Sequence, residues 1–94
     1  MDVTEFQMLL ASGERDFQNV DLRSASLSCV DLKNANLRRA DLRHANLRWA
    51  DLRHTNLQWA DLRGADLSWA NLEGANLNSA NLRGTKMPDG TIHD

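Results

Sequence analysis

The chain has 94 residues, with 11 Lys and Arg against 13 Asp and Glu, for a formal charge of −2. That near balance argues against a nucleic-acid binder with a basic face. An aromatic content of 5%, with no tyrosine, excludes a thick globular core built on large rings.

The segment Met1 to Glu5 has no basic stretch, and no long apolar run follows it, so neither a signal peptide nor a membrane span is expected. Residues 1–14 read as a capping helix. Asp2 followed by Glu5 forms a capping-box-like start, Val3, Phe6, Leu9 and Leu10 recur at helical spacing, and Gly13 is a natural stop. An amphipathic helix is expected over residues 3–12.

Beyond it the sequence settles into a period of five. Leucine stands without a slip at 22, 27, 32 and every fifth position through 82, and Phe17 and Met87 extend the series at its ends. Two residues before each centre from 22 onward lies a small or apolar residue, alanine at ten of 14 places. Between the two sits Asp or Asn almost every time, and two variable residues follow the leucine. On an α-helix, a step of five rotates the leucine by about 140° and spreads the series around the whole circumference. On a flat strand, successive units would point to opposite sides. The chain must therefore turn once per unit. Each unit is a short extended piece with Ala and Leu inward and Asp or Asn outward, followed by a corner at the two variable positions. Stacked coils of such units can pair their backbone groups at about 4.8 Å. The expected fold is an all-β solenoid spanning residues 15–88.

The run Ala40-Asp41-Leu42-Arg43-His44-Ala45-Asn46-Leu47-Arg48-Trp49, continued through Leu82, resembles the pentapeptide-repeat family. The resemblance implies a right-handed quadrilateral β-helix with four pentads per coil. The 15 pentads then make nearly four 20-residue coils, a rod about 18 Å tall at the strand spacing. After it, Met87-Pro88-Asp89-Gly90 breaks the repeat with turn chemistry, leaving residues 89–94 as a tail in which Ile92 is the one apolar residue. No helix is expected to cover this end. Because some family members dimerise end to end, the resemblance implies possible self-association through Thr85, Met87 and Ile92.

With four units per coil, residues 20 apart share a column. Arg23, Arg43, Arg63 and Arg83 fall beside Asp21, Asp41, Asp61 and Asn81, and Lys33, Arg53 and Glu73 fall on the opposite face. Diagonal aspartates are expected to offset the stacked arginines. The Asn36, Asn56 and Asn76 column suggests an amide ladder. Trp49 and Trp69 share an outward corner with Cys29, and Trp59 stands on the opposite corner above Arg39. Folding alone does not require exposed indoles, so Trp49, Trp69 and Trp59 are the candidate partner-binding residues, with Met87 and Ile92 at the end.

Chemistry is harder to find. His44 and His54 face opposite ways with no Cys or second His in their columns, so no metal is expected. No serine is expected to find a histidine on its own face, and Gly64, Gly74 and Gly84 sit singly at corners, where they suit the backbone. No catalytic residue, cofactor or small-molecule substrate is expected. A lone cysteine excludes a disulfide framework and points to a reducing, cytoplasmic setting. The sequence reads as a non-enzymatic structural or protein-interaction module whose partner is unknown, without nucleic acid or membrane. The resemblance also implies an alternative, because certain members mimic B-form DNA and inhibit DNA gyrase. A net charge of −2, an interrupting arginine column and fewer than four coils disfavour it.

Overall fold

The computed structural model describes residues 1–94. Its one helix, α1, spans Val3–Ala11. Asp2 caps it by accepting the Thr4 amide at 2.8 Å, whereas Glu5 makes no return bond to the Asp2 amide, so only half of the capping box forms. Gly13, at a φ of 100°, ends it. Phe6 is fully buried, with its ring centroid 4.6 Å from that of Phe17 in the first pentad, and Val3 and Leu10 pack beside the core. Leu9, expected on the inner face, lies exposed beside Met8. The helix thus packs on the first coil through a narrower stripe than its sequence suggested.

From Asp16 onward each pentad contributes a single bridging residue, its Asp or Asn, and then turns. Eleven parallel bridges run from Asp16↔Asn36 to Asp66↔Lys86, every one between residues 20 apart, so four pentads make one coil. Three backbone bonds tie each pentad to the next coil. At one rung the Leu22 amide donates to Asp41 O, Ser24 to Arg43 O, and Asp41 back to Val20 O, all at 2.8–2.9 Å. The molecule measures 35 × 22 × 20 Å, its length extended past the coils by α1 and the tail.

The four faces of this solenoid are named by their bridging columns. Face one carries Asp16, Asn36, Asn56 and Asn76; face two Asp21, Asp41, Asp61 and Asn81; face three Ser26, Asn46, Asp66 and Lys86; face four Asp31, Asp51 and Asn71. The leucines from 22 to 67 fill the interior, none more than 1% exposed. Each such burial contributes about 1.5–3 kcal/mol. The alanines take the second inward position of each pentad, where Val20 and Val30 also pack. Thr55 and Thr85 occupy alanine places without cost, since their hydroxyls donate to Leu52 O and Leu62 O.

The two ends differ. At the last coil Leu72, Leu77 and Leu82 are half-buried, and their amides, which in earlier coils donate onward, find no acceptor. Face three alone is closed there. The chain reverses at Pro88–Gly90, the Gly90 amide donating to Met87 O at 2.8 Å, and Ile92 bridges antiparallel to Lys86. The Met87 amide donates to Thr91 O and the Gly84 amide to His93 O. The expected turn thus forms, and the tail of residues 89–94 folds back to pair over one edge. No helix is long and apolar enough to cross a membrane.

Candidate functional site

The corners position every outward side chain. In each pentad the amide of the small residue donates to the carbonyl of the preceding leucine, as Ala25 does to Leu22 at 3.1 Å. The second variable residue, third in the turn, takes a positive φ, which is the type II pattern that favours glycine. Here eleven of these residues are not glycine, Trp49, Trp59 and Trp69 among them at φ of 62–63°. The aspartate and asparagine side chains hold the turn from the other side. Asn36 Oδ1 accepts the Arg38 amide at 3.1 Å, Asn56 the Gln58 amide at 3.0 Å and Asn76 the Asn78 amide at 2.9 Å. The asparagines therefore serve their own corners, and the amide ladder expected along this column does not form.

Trp49 and Trp69 stack one above the other, centroids 5.2 Å apart and planes within 8°. They are 57% and 63% exposed. Cys29 continues their column, exposed and unpaired. A cleft of about 160 Å³ adjoins Trp69, walled by Arg48, Ser68, Lys86 and the Pro88–Gly90 turn. Two of its lining side chains are held by Asp66, which accepts the Ser68 hydroxyl at 2.6 Å and Arg48 Nη1 at 3.3 Å. Trp59 stands on the opposite corner, 53% exposed, with the Arg39 guanidinium carbon 5.9 Å from its ring centroid. The structure thus joins Trp49 to Trp69 and holds Trp59 apart from both. Met87 is half-buried under the reversed tail, while Ile92 remains 61% exposed.

Face two carries the arginine column. Arg43 grips Asp41 with Nε and Nη2 at 2.9 and 2.7 Å, and Arg23 and Arg63 hold Asp21 and Asp61 in the same way. The diagonal contacts, Arg23 to Asp41 and Arg43 to Asp61, are longer at 3.7 Å. Neutralisation therefore occurs mainly within a pentad, not along the diagonal. Hydrogen bonds from Arg23 lower the Asp21 carboxyl to about 2, and those from Arg53 do the same to Asp51 on face four. The larger cleft, about 520 Å³, opens here between Met1, Asp21, Arg23, Ser24, Arg43 and His44, but its two guanidinium groups are already committed to carboxylates.

The larger cleft does bring Ser24 and His44 together, in adjacent rungs of one column, where no serine was expected to share a face with a histidine; no hydrogen bond joins the two side chains, and no three His, Cys, Asp or Glu side chains converge. His44 and His54 instead lean over Gly64 and Gly74 in the following coil, on opposite faces.

The pentapeptide-repeat family model matches residues 16–53 and 50–88 of the sequence, with eight copies of its unit. The chain belongs to the pentapeptide-repeat family. Among solved pentapeptide-repeat structures, alr5209 from Nostoc PCC 7120 is 46% identical over 90% of this chain and 74% of its own, with a TM-score of 0.75. HetL, a pentapeptide-repeat protein involved in heterocyst differentiation regulation from Nostoc sp. strain PCC 7120, is 39% identical with a TM-score of 0.57. The match covers 83% of this chain and 43% of HetL, so the chain spans less than half of that relative. No curated protein matches the sequence. Pentapeptide-repeat proteins are generally non-enzymatic structural or interaction scaffolds.

Proposed function

We propose that the chain is a non-catalytic interaction module, a rigid post that presents the Trp49–Trp69 pair to a protein partner. The observation that carries this reading is the stack itself. Two indoles, more than half exposed, sit at left-handed corners that disfavour any bulky side chain, and their mutual stacking recovers only about 0.5–1.5 kcal/mol. Large aromatic side chains held rigidly in solvent are the residues on which protein interfaces concentrate their binding energy. The exposed Cys29 thiol fits a reducing compartment such as the cytosol.

The test is affinity capture from source-cell lysate with the wild type and with Trp49→Ala/Trp69→Ala, both shown to fold equally by circular dichroism. A partner held by the wild type and lost by the variant is expected. The same proteins captured by both would overturn the reading.

A second contact surface has its own support at the open end. Three half-buried leucines and five amides without acceptors, those of Leu72, Gly74, Leu77, Ser79 and Leu82, form an edge able to pair with another copy, with Met87 and Ile92 on its fourth side. Light scattering over a wide concentration range should show a reversible rise to twice the chain mass; a constant monomer mass would reject end-to-end association.

A further inference from the structure

A whole-chain charge of −2 conceals how the coil distributes its charges. Carboxylates line faces two, three and four. On face one the carboxylates stand at the first rung, Asp16 and the Glu14 that accepts the Asp16 amide at 2.8 Å, and the three rungs beyond carry Arg38 and Arg39 and no acid. Neither arginine enters an ion pair with any side chain of the fold.

The hydrogen-bonding character of this face is equally one-sided. Because Asn36, Asn56 and Asn76 spend Oδ1 on the turn amides, their Nδ2 groups point outward as a column of donors that no protein atom accepts. At the corner of the same face stands Trp59. Arg39 lies over one side of its ring, and on the other side the next residue of the column is the small, exposed Ser79. The face thus combines two uncommitted guanidinium groups, a column of amide donors and an indole with one ring side open.

We infer that face one is a binding surface for a short single-stranded nucleic-acid segment, a base stacking on Trp59 and phosphates meeting Arg38, Arg39 and the asparagine amides. The chemistry favours this occupant over others. A surface of donors calls for a ligand rich in anionic oxygen acceptors, where a neutral sugar would offer hydroxyls needing acceptors as well. An open indole beside an arginine calls for a planar ring, which an acidic peptide lacks and every nucleobase supplies. Phosphates take hydrogen bonds from arginine and asparagine alike.

The probe is a fluorescently labelled oligouridylate of about eight nucleotides, within the length one binding surface of this kind engages, titrated with the full chain at low salt and read by anisotropy. Binding should weaken with salt with a log–log slope of about −1.4, two neutralised phosphates on a single strand. Trp59→Ala should lower affinity at least about fivefold, Arg38→Gln/Arg39→Gln should flatten the salt slope, and Trp59→Phe should retain most of the binding. Trp49→Ala/Trp69→Ala should bind as the wild type does. Folding of each variant is checked by circular dichroism. No binding at low salt overturns the proposal. So does equal binding of a sulfated oligosaccharide or an oligoglutamate with Trp59→Ala unaffected, which would make the face an ionic patch only, or equal loss in the Trp49→Ala/Trp69→Ala variant, which would place the site elsewhere.

Discussion

A Cβ added to Gly64 would stand 2.5 Å from His44 Nδ1, whereas one added to Gly84, one rung on in the same column, would meet nothing closer than 3.8 Å. The corner conformation alone does not demand glycine, since eleven other residues adopt it. Gly64 and Gly74 instead make room for a histidine ring from the preceding coil. Gly84→Ala should therefore cost only the left-handed penalty, about 1 kcal/mol, and Gly64→Ala should cost more. Adding His44→Ala to Gly64→Ala should return the loss to the Gly84→Ala value, as read by urea denaturation. A second residue-scale prediction concerns Asp21 and Asp51. Their carboxyls are held at about 2, below an unfolded value near 3.8. A lowered acid stabilises the fold above the unfolded value and loses that contribution as pH falls through the folded one. The urea midpoint should be flat above about pH 5 and fall between about pH 4 and 2. Asp51→Asn should lessen the fall, and since these pairs face solvent its size should be modest and reduced by salt.

Within the pentad the sequence was most informative, because leucine and alanine positions follow from steric filling of a narrow interior. Leu42 and Leu77 occupy equivalent places, yet Leu42 is fully buried and Leu77 half-buried at the open end. Leu42→Ala should cost about 2–5 kcal/mol, and Leu77→Ala markedly less, since solvent can enter the space it leaves. Phe6→Ala should cost about 3 kcal/mol by unseating α1 from Phe17. Other elements were less legible. That the corner takes a left-handed residue was hidden by side chains such as Trp59 and Arg39, which seldom adopt it. The destination of the Asn36 amide depends on the turn it serves, which periodicity cannot reveal. The reversal at Pro88–Gly90 was visible as a turn, but its pairing of Ile92 with Lys86 depended on an edge that exists only once the coils are stacked.

Across the whole molecule α1 packs on the core at one end of the solenoid, where the Asp21, Ser26 and Asp31 amides also find no backbone acceptor, and the other end is largely open. Interior rungs are bonded on both sides, while the amides of Leu72, Leu77 and Leu82 face outward unpaired. Amide exchange should accordingly be slowest at Leu37 to Leu52 and fast at those three, with protection falling coil by coil toward the C-terminal end. Uniform exchange from Leu22 to Leu82 would contradict this asymmetry. The Trp49–Trp69 pair was legible as a shared column once four pentads per coil were assumed. The face without an acid beyond its first rung was not, because it is a property of four columns compared with one another.

The constant separation of 20 residues between bridging partners also governs how the chain reaches this state. Every rung closes a loop of the same length, so the entropic cost of each closure is the same at Asp16 and at Asp61 and does not grow as the rod lengthens. The sequence distance of a contact, which slows most β-proteins, is thus capped at one coil. The difficult event is the first full winding, and α1 lies where that winding begins, with Phe6 already in position to cover Phe17. Once one coil stands, each later pentad docks on a finished edge, and refolding should proceed as directional winding from the helix toward the tail.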